Sequence, residues 1–365
     1  MKRIGVLTFH RAINNGAVLQ AYALTRVIND LGGDARYIDY TAEKIRNDYY
    51  IKPLLKRNSI KSVGVYFLCD LNIAASQKKF REFVDYYIPI EECDLTDEES
   101  IKNKFDALIS GGDQIWNLNL TGYDTKYYLD FTKQINKYSY GTSFGTTKFT
   151  DSEKNEIRML LADYKQLNVR EKSAKEFIDS IMECQCRIVP DPVFLLTKKE
   201  WIEQLSLKEK IKGNKYILYF ELHDNKLMRE WALHLANVNK CKILRITNDF
   251  FSIKGMKSIK RSGPIDFLEH ILNAHTIVTD SFHAAAFAII FNKPLYIGLK
   301  QGEFTHLNTR IENLVNTYNI QKQIISDNIT ENIINYEYVN KRISIERKVG
   351  IDTLKGIVGG INYED

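Results

Sequence analysis

The most constraining feature of this chain is a repeated succession of short apolar, β-branched runs and longer segments of helical periodicity. Arg3–Phe9 reads as a strand, and the polar turn His10–Gly16 follows it. Ala17–Leu31 then carries Val18, Leu19, Tyr22, Val27, Ile28 and Leu31 at helical spacing and closes on Gly32-Gly33, the usual helix stop. Ala35–Tyr40 is the next strand. Strand, helix, strand is the signature of a parallel, doubly wound sheet. The pattern recurs at Phe105–Ile109, a buried strand ending in Ser110-Gly111-Gly112-Asp113. Thr150 and Glu153 form a capping box ahead of a helix reaching Tyr164, and Gln166–Val169 is a further strand. Pro190 and Pro192 make Val189–Leu196 an extended connector. After the polar stretch Lys198–Lys215 the alternation restarts, with strands at Tyr216–Phe220, Lys242–Ile246, Thr276–Thr279 and Leu295–Leu299. Asn225–Val238, Pro264–Ala274 and Ser281–Asn292 are the helices between them. The fold class expected is α/β, with two Rossmann-like domains facing across a cleft. Residues 1–195 form the first domain and 196–330 the second. Residues 331–365 form a helical tail, charged over Lys341–Ile357, that packs back on the first domain.

Composition excludes several classes. With 365 residues, 44% of them apolar and 27% charged, the chain has material for two cores. The apolar run after Met1-Lys2-Arg3 stops at His10-Arg11, too short for a signal peptide. The longest apolar run, Ala284–Phe291, has eight residues against the ~20 that a membrane helix needs. Five cysteines (Cys69, Cys93, Cys184, Cys186, Cys241) include no CxxC pair. They read as buried structural thiols of a cytoplasmic protein, with Cys184-x-Cys186 at most a minor redox pair. No spacing suggests a metal site. The net charge of +5 suits an anionic substrate or a membrane surface. The densest basic stretch, Lys254, Lys257, Lys260 and Arg261, reads either as a solvated loop or as a contact for anionic lipid or a lipid-diphosphate carrier at the inner membrane face. It lacks the interleaved aromatics of a nucleic-acid platform.

In open parallel sheets, ligands bind at the carboxyl ends of strands. Four segments there carry chemistry. In Asn14-Asn15-Gly16-Ala17, Asn15 and Gly16 free the backbone for a tight turn, and the helix start offers N–H groups to an anion or is simply capped. In Gly111-Gly112-Asp113-Gln114-Ile115-Trp116-Asn117, Asp113 is placed to accept a hydroxyl proton and Trp116 to stack on a sugar; alternatively they are a turn former and a core residue. Gly141-Thr142-Ser143-Phe144-Gly145 matches GxSxG, with Asp191 or Asp280 and then His283 completing a hydrolase order. The next helix starts too late, near Ser152, for a nucleophile elbow. Finally, Asp280 or Ser281 caps a helix with the apolar face Phe282, Ala285, Ala286, Ile289 and Ile290. His283 falls in its first turn, off that face, placed for proton transfer. Arg170 follows a strand directly and Arg310 follows the last one; a guanidinium suits carboxylate or phosphate.

These stretches together resemble the polysaccharide pyruvyl transferases. The similarity rests on Asn15 to Gln20, Gly112 to Asn117, Ser143-Phe144-Gly145, Val169 to Lys172, Asp191-Pro192, Thr279 to His283, Phe291 to Pro294 and Asn308 to Ile311. The resemblance implies a fold like that of B-type glycosyltransferases, phosphoenolpyruvate as donor and no other cofactor. It implies as acceptor a sugar of a capsular or exopolysaccharide repeat unit, free or lipid-linked. His283 and Arg170 match family residues of the donor site. Family members commonly carry Arg-Leu-His where this chain has Ser281-Phe282-His283, so Arg170, Arg310 or Lys300 must stand in for the missing arginine. The expected chemistry has His283 protonating the donor's methylene carbon and Asp113 activating a hydroxyl, with Ser281, Phe282, Arg310, Asn15, Gly16, Gln114, Trp116 and Ser143 binding substrate. Two alternatives stand beside it: a nucleotide-sugar glycosyltransferase of the same architecture, and a non-catalytic sugar-phosphate binding protein.

Overall fold

The structure, a computed structural model, describes residues 1–49, 63–146, 148–210, 215–249, 252–302, 305, 308–327 and 332–360. It divides into two units. The first comprises Met1–Tyr50, Glu82–Leu196 and Ser344–Asp365, and the second Ile51–Arg81 and Thr197–Ile343.

In the first unit, β1 (Lys2–Leu7), β2 (Gly33–Ile38), β3 (Ile90–Glu91), β4 (Ala107–Gly111), β5 (Asn136–Tyr140), β6 (Tyr164–Val169) and β7 (Cys186–Ile188) form one sheet, in the order β3-β2-β1-β4-β5-β6-β7. Every pairing is parallel. The strand order reverses between β1 and β4, which makes that gap the sheet's switch point. The helices are α1 (Asn15–Asp30), α2 (Glu43–Tyr49), α4 (Glu98–Lys104), α5 (Leu118–Thr121), α6 (Asp151–Leu161) and α7 (Lys172–Ile181), while α3 (Val63–Tyr87) belongs to the second unit as far as Arg81 and to this one from Glu82. The capping box read from Thr150 and Glu153 is formed in front of α6.

The second unit repeats the plan with β8 (Tyr216–Phe220), β9 (Lys242–Ile246), β10 (Met256–Ile259), β11 (Thr276–Thr279) and β12 (Leu295–Ile297), in the order β10-β9-β8-β11-β12. Its pairings are also parallel, and its switch point lies between β8 and β11. Its helices include α8 (Lys198–Gln204), α9 (Lys226–Val238), α10 (Pro264–Asn273), α11 (Phe282–Ile290) and α12 (Thr309–Thr317), while α13 (Tyr336–Gly359) runs from this unit into the first. All nine residues of α11 are buried. A helix apolar on every side belongs inside, and Phe287 meets Trp201 edge-on at 5.0 Å.

Two expectations give way, and one strand carries no apolar signal in the sequence. The strand β5, Asn-Lys-Tyr-Ser-Tyr, carries no apolar run, yet it lies in mid-sheet because Lys137, only 2% exposed, is neutralised by Asp163 at 2.6 Å. The basic stretch is a loop only in part: Lys254, Lys260 and Arg261 lie outside regular structure, but Lys257 is on the edge strand Met256–Ile259, where an exposed lysine is a common protection against edge pairing. The thiols are not uniformly buried. Cys184 is exposed and Cys93 and Cys241 are half-buried; Cys186 alone is buried among the four described, all of them free, and burial pushes its thiol up to about 12. The side chain of Cys69 lies outside the described residues.

The unit boundaries have visible causes. Residues up to Arg81 join the second unit because Ser76 Oγ donates to the Ser262 carbonyl at 2.5 Å, Arg261 Nε to Asn72 at 2.9 Å, and Lys79 pairs with Asp266 at 2.7 Å. From Ser344 onward α13 belongs to the first unit: Arg347 Nε donates to the Leu195 carbonyl and Lys2 Nζ to the Ile357 carbonyl, both at 2.7 Å. Gly350 is the tight point of that docking. A Cβ there presses on the Tyr140 hydroxyl and comes within 2.6 Å of Leu195 Cδ2 and 3.1 Å of Pro190 Cγ. Gly350→Ala is therefore expected to destabilise the protein by about 1–3 kcal/mol, the usual range for overpacking. The midpoint of denaturant unfolding reads it, and an unchanged midpoint contradicts this packing.

Candidate active site

In the second unit, the carboxyl end of β11 gathers the charged groups. Ser281 is the N-cap of α11, its hydroxyl accepting from Ala284 N at 3.4 Å. That leaves Asp280 for another task. Its carboxylate, 1% exposed, accepts from the backbone N–H groups of Leu222 at 2.6 Å and His223 at 3.0 Å, which closes the loop after β8 onto the loop after β11. His283 sits in the first turn of α11. It is 7% exposed, not clear of the core as the helical wheel suggests, and its ring meets Phe282 edge-on at 5.0 Å.

Two cations complete this group. Lys300 Nζ donates to the Asp280 carbonyl at 3.0 Å. Its backbone is clamped by Asn308, which accepts from Lys300 N and donates to Lys300 O, both at 2.8 Å. Burial holds the Lys300 ammonium below the ordinary lysine value; Asp280 works against that and the nearby Arg310 adds to it. The Arg310 guanidinium lies 5.9 Å from the centre of the Phe282 ring, within cation–π range. Ser281, Phe282, His283 and Lys300, all buried, and the part-exposed Arg310 thus form a cationic group at a switch point, where an anion would relieve the desolvated lysine.

The remaining expected residues fall in the first unit, beyond the ends of β1, β4, β5 and β6, where most are occupied by the fold. Asp113 takes a left-handed backbone (φ 56°) and its carboxylate accepts from Gln114 N at 2.9 Å. Its carbonyl accepts from Ser143 N at 2.9 Å, while the Ser143 carbonyl takes Trp116 N at 3.3 Å. Gln114 is buried and packs so close to Gly145 that a Cβ there comes 2.6 Å from Gln114 Nε2. Gly112 is required twice over, by its φ of 63° and by the Gln20 carboxamide lying where its Cβ would be.

This packing bears on four of the expected positions. Trp116 is fully buried, stacked on Tyr128 at 5.5 Å and 10°, with no face left for a sugar. Ser143 is 1% exposed, its hydroxyl accepts from Gly145 N at 3.1 Å, and α6 starts only at Asp151, so no nucleophile elbow exists. At the start of α1, Asn14 accepts from Gly16 N at 2.9 Å and from Ala17 N at 3.2 Å; the turn at Asn15 and Gly16 is a helix cap. Arg170 is buried with its guanidinium 2.5 Å from Asp191, 3.1 Å from Glu171 and 3.9 Å from Asp113. These carboxylates outweigh its desolvation and hold it charged well above the ordinary value. It is bonded to the protein's own anions, not held open for a donor carboxylate.

Sequence reasoning missed His223. Its Nδ1 lies 3.4 Å from Asp280 Oδ2. Its position just past a strand facing the switch point was the available signal. Among the described residues, no group of three or more His, Cys, Asp or Glu is placed to hold a metal ion, and no helix is long and apolar enough to cross a membrane.

Fold and site define an α/β protein of two Rossmann-like units, one carrying a buried histidine, a buried lysine and an arginine near its switch point. Residues 14–297 match the polysaccharide pyruvyl transferase family, and the chain belongs to that family. No curated protein matches the sequence. Among solved structures, the UDP-GlcNAc 2-epimerase from Neisseria meningitidis bound to UDP-GlcNAc superposes with a TM-score of 0.50 at 13% identity, over 99% of both chains. The Staphylococcus aureus MnaA–UDP co-structure gives 0.49 at 12% identity, over 100% of this chain and 93% of that one. Acinetobacter baumannii MurG gives 0.41 at 8% identity, over 99% and 100%. What the N. meningitidis likeness carries is the fold alone, the two-unit parallel α/β architecture expected.

Removing one partner of a buried charge cluster costs about 3–5 kcal/mol. Arg170→Met is accordingly expected to lower unfolding stability by that order, with or without ligand. A variant with an unchanged midpoint that has lost phosphoenolpyruvate binding would return Arg170 to the donor site.

Proposed function

We propose that this protein transfers a pyruvyl group from phosphoenolpyruvate to two hydroxyls of a sugar, forming a cyclic ketal and releasing phosphate. The observation that carries the reading is the convergence of His283, Lys300 and Arg310 at the end of β11 in a chain of this family. Phosphoenolpyruvate brings a carboxylate and a phosphate on one small carbon frame. Lys300 serves one of these anions as a point charge and Arg310 the other as a fork. They supply the positive charge that the arginine absent at Ser281 would have brought.

His283 then delivers a proton to the methylene carbon, and C2 becomes an oxocarbenium-like electrophile. The two bound anions keep that centre from escaping. A first sugar hydroxyl adds to C2, phosphate leaves, and the second hydroxyl closes the ketal. The site holds the reactants in position, and it is the donor's own carboxylate and phosphate, anchored by the two cations, that flank the developing positive centre. The acceptor we propose is a sugar of a capsular or exopolysaccharide repeat unit, free or lipid-linked, met in the cytoplasm or at the inner membrane face. Phosphoenolpyruvate is the co-substrate.

Purified protein, phosphoenolpyruvate and galactosides with free adjacent hydroxyls suffice to test the reading by phosphate release. His283→Asn should lower the rate by ~10²–10⁴, the range for a lost proton-transfer group, with a melting profile showing that the buried site still folds. A folded variant keeping more than about a tenth of the rate removes His283 from that role. Lys300→Ala should raise the donor KM by about tenfold or more, given the ~1.5–3 kcal/mol of a charged hydrogen bond, and leave the acceptor KM nearly unchanged. Equal effects on both substrates would place Lys300 outside the donor site.

A further inference from the structure

The pyruvyl transfer reading has a proton balance that His283 alone does not close. Two hydroxyl protons leave the acceptor diol. One hydrogen is gained by the methylene carbon as it becomes methyl, and one by the departing phosphate. If His283 gives its proton to carbon and recovers one from the second hydroxyl, the first hydroxyl's proton still has to reach the phosphate oxygen.

The second unit holds one group suited to carry it. His223 lies three residues beyond the end of β8, and Asp280 follows the end of β11 directly. The two strands are paired in register at Phe220 and Thr279, and Thr279 Oγ1 donates to the Phe220 carbonyl at 2.6 Å. The Asp280 carboxylate fixes the His223 backbone N–H at 3.0 Å and stands 3.4 Å from the ring Nδ1. A carboxylate beside Nδ1 favours the tautomer with the proton on that nitrogen, which leaves Nε2 as the base. Asp280 itself is 1% exposed, whereas the His223 side chain is 28% exposed and accessible to a ligand at the strand ends. Its acidic neighbours are committed elsewhere. Glu221 accepts from the Tyr219 hydroxyl at 2.6 Å and pairs with Arg245 at 3.1 Å, and Asp224 is paired with Arg229.

We propose that His223, oriented by Asp280, is a second catalytic histidine that carries a proton from the first acceptor hydroxyl to the leaving phosphate. The steps then balance. Nε2 takes the hydroxyl proton as the C2–O(sugar) bond forms. The resulting imidazolium gives that proton to the bridging phosphate oxygen as the C2–O(phosphate) bond breaks, and hydrogen phosphate departs. The second hydroxyl adds to C2, and its proton returns to His283. Neither a metal nor a redox partner enters the sequence.

The test compares His223→Gln and His223→Ala with the wild-type protein on phosphoenolpyruvate and a galactoside with free adjacent hydroxyls, following ketal and phosphate together. The expected result is a ~10²–10³-fold loss of kcat with the donor KM within about twofold and the melting profile retained. Added imidazole should restore part of the His223→Ala rate, which a merely structural residue would not allow. Wild-type turnover that His223→Gln keeps above a tenth overturns the proposal and leaves pyruvyl transfer standing. A change confined to the donor KM likewise overturns it, by making His223 a phosphate ligand only. Absence of ketal and of phosphate with the wild-type protein overturns pyruvyl transfer and this step together.

Discussion

One buried carboxylate organises the second unit's site. Asp280 is 1% exposed, and its two oxygens hold the backbone N–H groups of Leu222 and His223. Its own carbonyl receives the Lys300 ammonium at 3.0 Å. The loops after β8, β11 and β12 therefore meet on a single residue. A buried acceptor without its donors, or the reverse, costs about 1–3 kcal/mol per group and more when charged, so this junction has a steep preference for one geometry. The positions of His223, Lys300 and the first turn of α11, which carries His283, follow from it.

The rest of the unit supports that junction from below. The helix α11 is Ala-rich and buried on every side, which lets it pack close to the sheet and fixes its N-terminus at the strand end. Because Ser281 provides the cap, Asp280 is spared for the loops. Lys300 is held at its backbone by Asn308, and its buried side chain reaches the Asp280 carbonyl. A cation held dry in this way is destabilised for want of a neighbouring anion. The first unit uses its polar residues differently. Arg170, Asp191, Glu171 and Asp113 satisfy one another inside the fold.

Much of this was legible in the sequence. The strands Tyr216–Phe220, Lys242–Ile246 and Thr276–Thr279 lie where apolar runs bounded by turn residues placed them. The capping box before α6 and the cap before α11 are local signals that work without knowledge of the fold. What stayed hidden depends on partners distant in sequence. The strand β5 is invisible until Asp163 neutralises Lys137. The ion pairing of Arg170 was not foreseen because Asp191, which holds its guanidinium, lies twenty-one residues away. A tryptophan beside two glycines looks like a sugar platform until Tyr128 is seen to cover it. His223 was overlooked because the residue that orients it, Asp280, lies fifty-seven positions further along the chain.

The central claim is that a solvent-exchangeable group of the protein protonates the donor's methylene carbon. The most direct measurement is the isotopic composition of the product's methyl group after reaction in heavy water, with phosphate measured alongside. The expected result is one solvent-derived deuterium per ketal formed and one phosphate released with it. A ketal whose methyl group carries no deuterium, or transfer of a sugar from a nucleotide-sugar donor without any phosphoenolpyruvate, would contradict the account.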